Sequence, residues 1–437
     1  MTKGFAAVPD ADRYVLANAT LPSVTVDGFE GEDVGEGLMV ADIVISDGKI
    51  EALRPAGSVT ELPAFDLDDG QVWPCFVDMH THLDKGHIWA RQENPSGSFA
   101  DALAATDVDR NAHWTTADVR ERMEFSLRSA YAHGTKLIRT HIDCVPPQFP
   151  ASWPAFAEAR EAWAGRVDLQ GVALSPIELY LDETVRARLA DVVATYGGVL
   201  GGFTYMIPGL ETALDHLFAL ASENGFDIDL HVDETADPDA RSLRAIAEAA
   251  IRTDYQGQVT VGHCCSLARQ DEDEADRTMD LVAEAGLAVV SLPMCNLYLQ
   301  DRHPGRTPRW RGVTLVNEME ERGIRTAVAS DNTRDPFYAY GDLDAVEVFR
   351  EAVRILHLDH PLDVAARVVT TNPAAILRRS DVGRIRVGDP ADLVLFRARS
   401  WSEFLSRPQS ERTVLRYGKA IDRTLPDYRE LDSLFGN

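Results

Sequence analysis

Through the middle of this chain, short apolar runs alternate with longer stretches of helical spacing. Eight runs read as strands, at residues 72–82, 136–143, 167–174, 199–206, 226–234, 259–266, 288–295 and 324–331. Between most of them lie segments with apolar residues three and four apart, as at 153–163 and 210–223. Eight strand–helix units in about 300 residues predict an α/β fold of the (β/α)8 TIM-barrel type. A doubly wound open sheet competes, but no Gly-x-Gly-x-x-Gly follows any of the strands. The acidic run at 270–278 reads as a solvated helix start after the sixth strand.

The flanks have another rhythm. Short β-like runs fall at 14–16, 23–26, 41–46 and 50–53, punctuated by turn signals such as Asp47-Gly48, and again at 391–396 and 413–417 before Gly418. The two flanks together predict one small β-sandwich domain drawn from both termini. The expected boundaries are 1–70 for its first part, 71–380 for the barrel and 381–437 for its second part.

Composition narrows the function. The 437 residues are 45% apolar, enough for a large core, and carry 43 Lys and Arg against 70 Asp and Glu, a formal charge of -27. That field repels phosphates, so no nucleic-acid partner is expected. The five cysteines, at 75, 144, 264, 265 and 295, are odd in number and form no Cys-x-x-Cys, which argues against a disulfide framework or a cysteine-built zinc site. The opening residues lack the apolar core of a signal peptide, and no apolar run reaches the roughly 18 residues that span a bilayer. A soluble cytoplasmic protein without a membrane partner is the expectation.

Barrel active sites form at the C-terminal ends of the strands, so residues there carry the chemistry. The first run ends in His80-Thr81-His82. Alternate residues of a strand share a face, so both imidazoles point the same way. The fifth ends in His231-Val232-Asp233-Glu234, the sixth near His263 and the eighth at Asp331. Imidazoles and carboxylates gathered at one rim suit Zn or Fe(II). His141, within the second run, either lines the pocket or serves a structural role. His87, His113, His133, His216, His303, His357 and His360 read as surface or packing residues.

With these residues in place the chain resembles the amidohydrolase superfamily, and within it the cytosine deaminase branch over nearly the whole length. The segments that carry the resemblance are VWPCFVDMHTHLDK at 72–85, LHVDET at 230–235, VTVGH at 259–263, NLYLQDR at 296–302, WRGV at 310–313, SDNTRDPFY at 330–338 and the tail GRIRVGDPADLVLF at 383–396. The resemblance implies metal ligands His80, His82, His231 and Asp331, and catalytic roles for Glu234, His263 and Asp331. Asp331 and His263 would orient a water and take its proton. Glu234 would protonate the ring nitrogen and then the leaving amine. Dinuclear members carry a lysine at the end of strand four. Here that end reads GGFTYM at 201–206, so one divalent transition metal per chain, Zn or Fe(II), is expected.

The implied activity is hydrolytic deamination of a cyclic amidine, with cytosine or a related aminopyrimidine as the leading substrate. Isocytosine, pterin, purine-like, creatinine-like and s-triazine rings are the alternatives. Hydrolysis of a cyclic amide and a metal-free scaffold role are readings of other kinds. The pocket departs from the cytosine enzymes in three ways. No glutamine follows strand three, where Glu178 stands. Asn332 follows Asp331 in place of a second carboxylate, and Phe337 occupies a position that often holds tryptophan. Leu83, Trp89, Glu178, Asn332 and Phe337 are therefore the expected substrate contacts. The LDK run at 83–85 also resembles N-alkylammelide hydrolases, and the long segment 86–114 is a candidate lid. Barrels of this family often assemble into homo-oligomers.

Overall fold

The computed structural model describes residues 8–145 and 149–436. Eight parallel strands form one sheet in strict chain order: Phe76–Thr81, Thr135–Asp143, Asp168–Leu174, Val199–Thr204, Ile228–Val232, Val259–His263, Ala288–Ser291 and Thr326–Val328. The sheet closes where the Asp331 N–H donates to the His80 carbonyl at 2.8 Å, pairing Thr81 with Asp331. This is the expected (β/α)8 barrel. The strands are buried along almost their whole length, as a sheet covered on both faces requires, and so they read as continuous apolar runs.

Several expected runs were too long, for local reasons. The first splits at Cys75: Val72–Pro74 pairs with Leu393–Leu395 in another sheet, and only Phe76–Thr81 enters the barrel. The seventh stops at Ser291, because Pro293 starts a helix, Pro293–Leu299, that carries Cys295. The run at 23–26 is a single helical turn followed by a two-residue strand; Thr25 Oγ1 closes the turn on the Pro22 carbonyl at 2.8 Å.

The chain divides into two compact units. One holds the chain up to Asp78, Arg128–Leu137 and Asp344–Leu425. Its five-stranded sheet is built on Arg13–Pro22 and Leu38–Ser46, and its four-stranded sheet on Val72–Pro74, Leu393–Leu395, Thr413–Arg416 and Lys419–Ala420. Tyr14, Leu16, Ile43 and Ile45 from the first sheet share a core with Val72, Leu393, Leu395 and Leu415 from the second, which makes a sandwich. Val15 and Val44 face the other way into a smaller cluster, as the two-residue strand period demands. Residues 344–380 also group with this unit. Phe349 of the helix Ala345–Leu356 sets its ring 5.3 Å from that of Trp73.

The other unit comprises Met79–Leu127, Ile138–Leu343 and the segment from Pro426 onward. It contains all the strand ends that carry candidate chemistry. All five cysteines are buried and unbridged. Among the described residues, no helix is long and apolar enough to cross a membrane.

Candidate active site

His80 sits inside the first barrel strand and His82 one residue past its end. His231 lies in the fifth strand, and His263 is the last residue of the sixth. Their side chains meet. His80 Nε2 is 3.0 Å from His231 Nε2, which is 3.1 Å from His82 Nε2. Asp331 Oδ1 lies 3.2 Å from His82 Nε2 and 3.7 Å from His80 Nε2. One ligand atom from each of His80, His231, His263 and Asp331 falls within 4.8 Å of the others. Gly262, paired with His231 in the parallel register, leaves the space His80 occupies, since a Cβ there would stand 2.8 Å from His80 Cε1.

The backbone turns sharply at these strand ends. Asp233, His263, Cys264 and Asp331 adopt left-handed φ values of 47°, 67°, 50° and 63°, which sidechain-bearing residues seldom adopt. At 263 and 331 the turn carries a side chain that lines the cavity.

Burial makes the electrostatics one-sided. It holds His80, His82 and His231 well below their ordinary value, and His263 at about 3. The imidazoles are therefore neutral and keep lone pairs for coordination. His263 Nε2 is buried without a hydrogen-bond partner. Four donors around one ion at about 2.0–2.2 Å stand roughly 3.3–3.6 Å apart in a tetrahedron, close to the separations seen here. The donor set thus fits a divalent transition metal. The fourth strand, Val199–Thr204, ends on Thr204, whose hydroxyl donates to the His231 carbonyl at 2.9 Å.

Glu234 follows the fifth strand by two residues. Burial, then the charge of Asp331, pushes its carboxyl well above the usual range. Asn296 Nδ2, from the helix Pro293–Leu299, donates to Glu234 Oε1 at 3.1 Å and lies 2.9 Å from His263 Nδ1. Gln300 fixes the Glu234 carbonyl at 3.1 Å. Glu234 Oε1 and His263 Nδ1 stand 3.5 Å apart, and both residues line one cavity.

A cavity of about 660 Å³ opens over this cluster. His82, His231, Glu234, His263 and Asp331 form its polar pole, while Phe99, Leu103, Leu174, Pro176, Phe203, Tyr205 and Phe337 make an apolar, aromatic wall. Of the expected substrate contacts, Asn332 and Phe337 line the cavity. Leu83, Trp89 and Glu178 are not among the lining residues. Leu83 is packed into the interior with its N–H on Thr140 Oγ1. Trp89 is tied by its N–H to the Arg334 carbonyl. Glu178 stands behind the wall and accepts from the Tyr205 hydroxyl at 2.6 Å. His141 lies below the cluster, its ring 4.0 Å from that of His80, and does not reach the cavity lining.

The segment 86–114 walls the cavity. Its helix, Phe99–His113, turns Phe99, Ala100, Leu103, Thr106 and Arg110 inward. The preceding loop is pinned by Asn94 Nδ2 on the Pro336 carbonyl at 2.9 Å and by Arg91, which grips both Asp109 and Asp118. Sequence reasoning missed the charges of the wall, buried Lys85 and Asp143 and part-buried Arg110. Asp143 ends the second strand and was open to the strand-end test, and Lys85 is a cation three residues past His82. Arg110 gives no local signal.

The amidohydrolase family profile matches residues 130–421. A pterin deaminase of Rhizobium rhizogenes is 64% identical over 437 residues, covering both chains in full. The chain belongs to the amidohydrolase family. N-isopropylammelide isopropyl amidohydrolase of a Pseudomonas species is 26% identical over 89% of this chain and 93% of that protein. Among solved structures, 5-methylcytosine deaminase from Klebsiella pneumoniae, liganded with 5-fluorocytosine, superposes with a TM-score of 0.80 at 25% identity, over 94% of this chain and 98% of that one. This amidohydrolase is a hydrolase of carbon–nitrogen bonds, and hydrolytic deamination of a heterocycle is its reaction class.

Proposed function

We propose that this amidohydrolase deaminates a pterin, a 2-amino-4-oxopteridine, releasing ammonia and the 2-oxo ring. The 64% identity to the R. rhizogenes pterin deaminase, unbroken over the whole chain, carries the reading. It displaces cytosine as the leading substrate. The aromatic wall and the roughly 660 Å³ of space support a fused two-ring substrate over a single ring.

In this reading His80, His82, His231 and Asp331 hold one divalent transition metal, Zn or Fe(II). Bound there, the metal supplies Lewis acidity that brings the pKa of water toward about 7. Asp331 and His263 orient the attacking water over C2, and Asp331 accepts its first proton. Glu234, held protonated by its surroundings, donates to the neighbouring ring nitrogen and makes C2 more electrophilic. Glu234, now a carboxylate, takes the hydroxyl proton of the adduct to the exocyclic amine, and the proton held by Asp331 returns Glu234 to its acid form. The C2–N bond breaks as ammonia leaves, and the water oxygen remains as the 2-oxo group. Asn296 keeps Glu234 and His263 in register.

The test is ammonia release from the purified protein with pterin, cytosine and isocytosine side by side. Pterin is expected to give the highest kcat/KM. A cytosine rate above that for pterin would return the enzyme to the aminopyrimidine reading.

A further inference from the structure

The cavity contains a charged cluster that the deamination chemistry leaves without a role. Lys85, Arg110 and Asp143 all line the cavity. Lys85 Nζ donates to Asp143 Oδ1 at 2.8 Å, and Arg110 Nη1 holds the other oxygen at 2.9 Å. The Asp143 N–H donates to Asp84 Oδ2 at 2.8 Å, and the Asp84 carbonyl accepts from buried Arg122. Lys85 itself is only 5% exposed. Burying an ammonium is costly unless its partners are well placed, and here several residues act together to place one.

The ammonium has three N–H donors, and among the described residues Asp143 is its one hydrogen-bond acceptor. Lys85 stays charged: burial opposes its ionisation, but Asp143 and Asp84 outweigh burial and raise its pKa. It stands 5.6 Å from the ring centre of Phe337, on the aromatic wall. The end of the third strand, by contrast, offers the cavity only Leu174 and Pro176. Lys85 and Arg110 are the Lys and Arg side chains that line the cavity.

Building on the deaminase reading, we propose that Lys85 is the specificity residue that reads a ring oxo group, donating to the C4 carbonyl oxygen, which lies on the other side of N3 from the amine that leaves. The cluster selects a neutral acceptor over a full anion, because Asp143 and Asp107 already balance Lys85 and Arg110. An amino group at the same ring position would turn its own N–H donors toward the ammonium and leave the donors not used by Asp143 without an acceptor. Sites built around a buried donor reject such analogues strongly.

The experiment compares pterin with 2,4-diaminopteridine, which differs only at that position. The wild-type protein should favour pterin by about 100-fold or more in kcat/KM. Lys85→Met should lower kcat/KM for pterin by a similar factor and collapse the preference toward unity. Lys85→Arg, which keeps a cationic donor, should restore part of it. Arg110 still holds Asp143 in either variant, and metal content and melting temperature report whether the fold survives. A Lys85→Met enzyme that keeps the wild-type preference, or loses both substrates in equal measure, overturns the assignment. If the wild-type protein releases no ammonia from pterin, the substrate reading falls. The same oxo-against-amino comparison on the ring it does deaminate then decides the role of Lys85.

Discussion

A carboxyl group acts as an acid at neutral pH only if its surroundings keep the proton on it. Glu234 meets that condition through burial and the nearby charge of Asp331. Glu234→Gln keeps the shape and the bond from Asn296 but cannot shuttle a proton. The expected result is a kcat lower by about 100- to 10,000-fold with metal content unchanged, read by ammonia release and metal analysis. A variant at wild-type rate would remove Glu234 from proton transfer. The cluster residues could be read from the chain because each occupies a strand end, where spacing alone predicts convergence. Leu83, Trp89 and Glu178 show the limit of that logic. They neighbour motif residues in sequence, yet side-chain direction, set by the turn after each strand, sends them elsewhere. The Lys85–Asp143–Arg110 cluster joins residues 58 and 33 positions apart, and no local pattern encodes such pairing.

At the scale of elements, the segment from 86 to 113 behaves as part of the wall. Its stability rests on Arg91, which is buried against Asp109 and Asp118 with bonds of 2.6 Å to each. Among the described residues, removing the guanidinium leaves buried Asp109 without a cation, held only by the Trp114 indole N–H, while Asp118 keeps Arg122. Arg91→Ala should therefore cost about 3–5 kcal/mol, seen as a lower denaturation midpoint and faster proteolysis within 86–98. An unchanged midpoint would show that the loop is held by other contacts. The eight strands were legible because burial on both faces leaves continuous apolar runs. Their ends were not, because the apolar character of 72–74 reflects a different sheet and that of 292–295 a helix. Hydrophobicity marks burial; it does not say against what.

For the molecule as a whole, the charge of -27 sets how substrates arrive. A neutral ring feels little of that field, so kcat/KM for pterin should change less than about twofold between low salt and 0.5 M salt. A ring bearing a carboxylate should gain rate as salt screens the repulsion. Salt-insensitive kinetics for both would show that the cavity mouth is shielded from the surface charge. Both flanking sequences contribute strands to one sandwich core, which the sequence rhythm suggested. The grouping of residues 344–380 with that core was not evident, because a helix such as Ala345–Leu356 reads the same whichever sheet it covers.

On the proposed mechanism, the left-handed turns at His263 and Asp331 set selection for activity against selection for durability. Each holds a side-chain-bearing residue in a backbone conformation that costs about 1–2 kcal/mol and that glycine adopts freely. Drift toward glycine at either position would be rewarded with a sturdier metal-free fold and punished by a dead enzyme, and melting curves of such variants would expose the trade. Catalytic competence here is a standing debt against stability, renewed only while turnover matters to the cell.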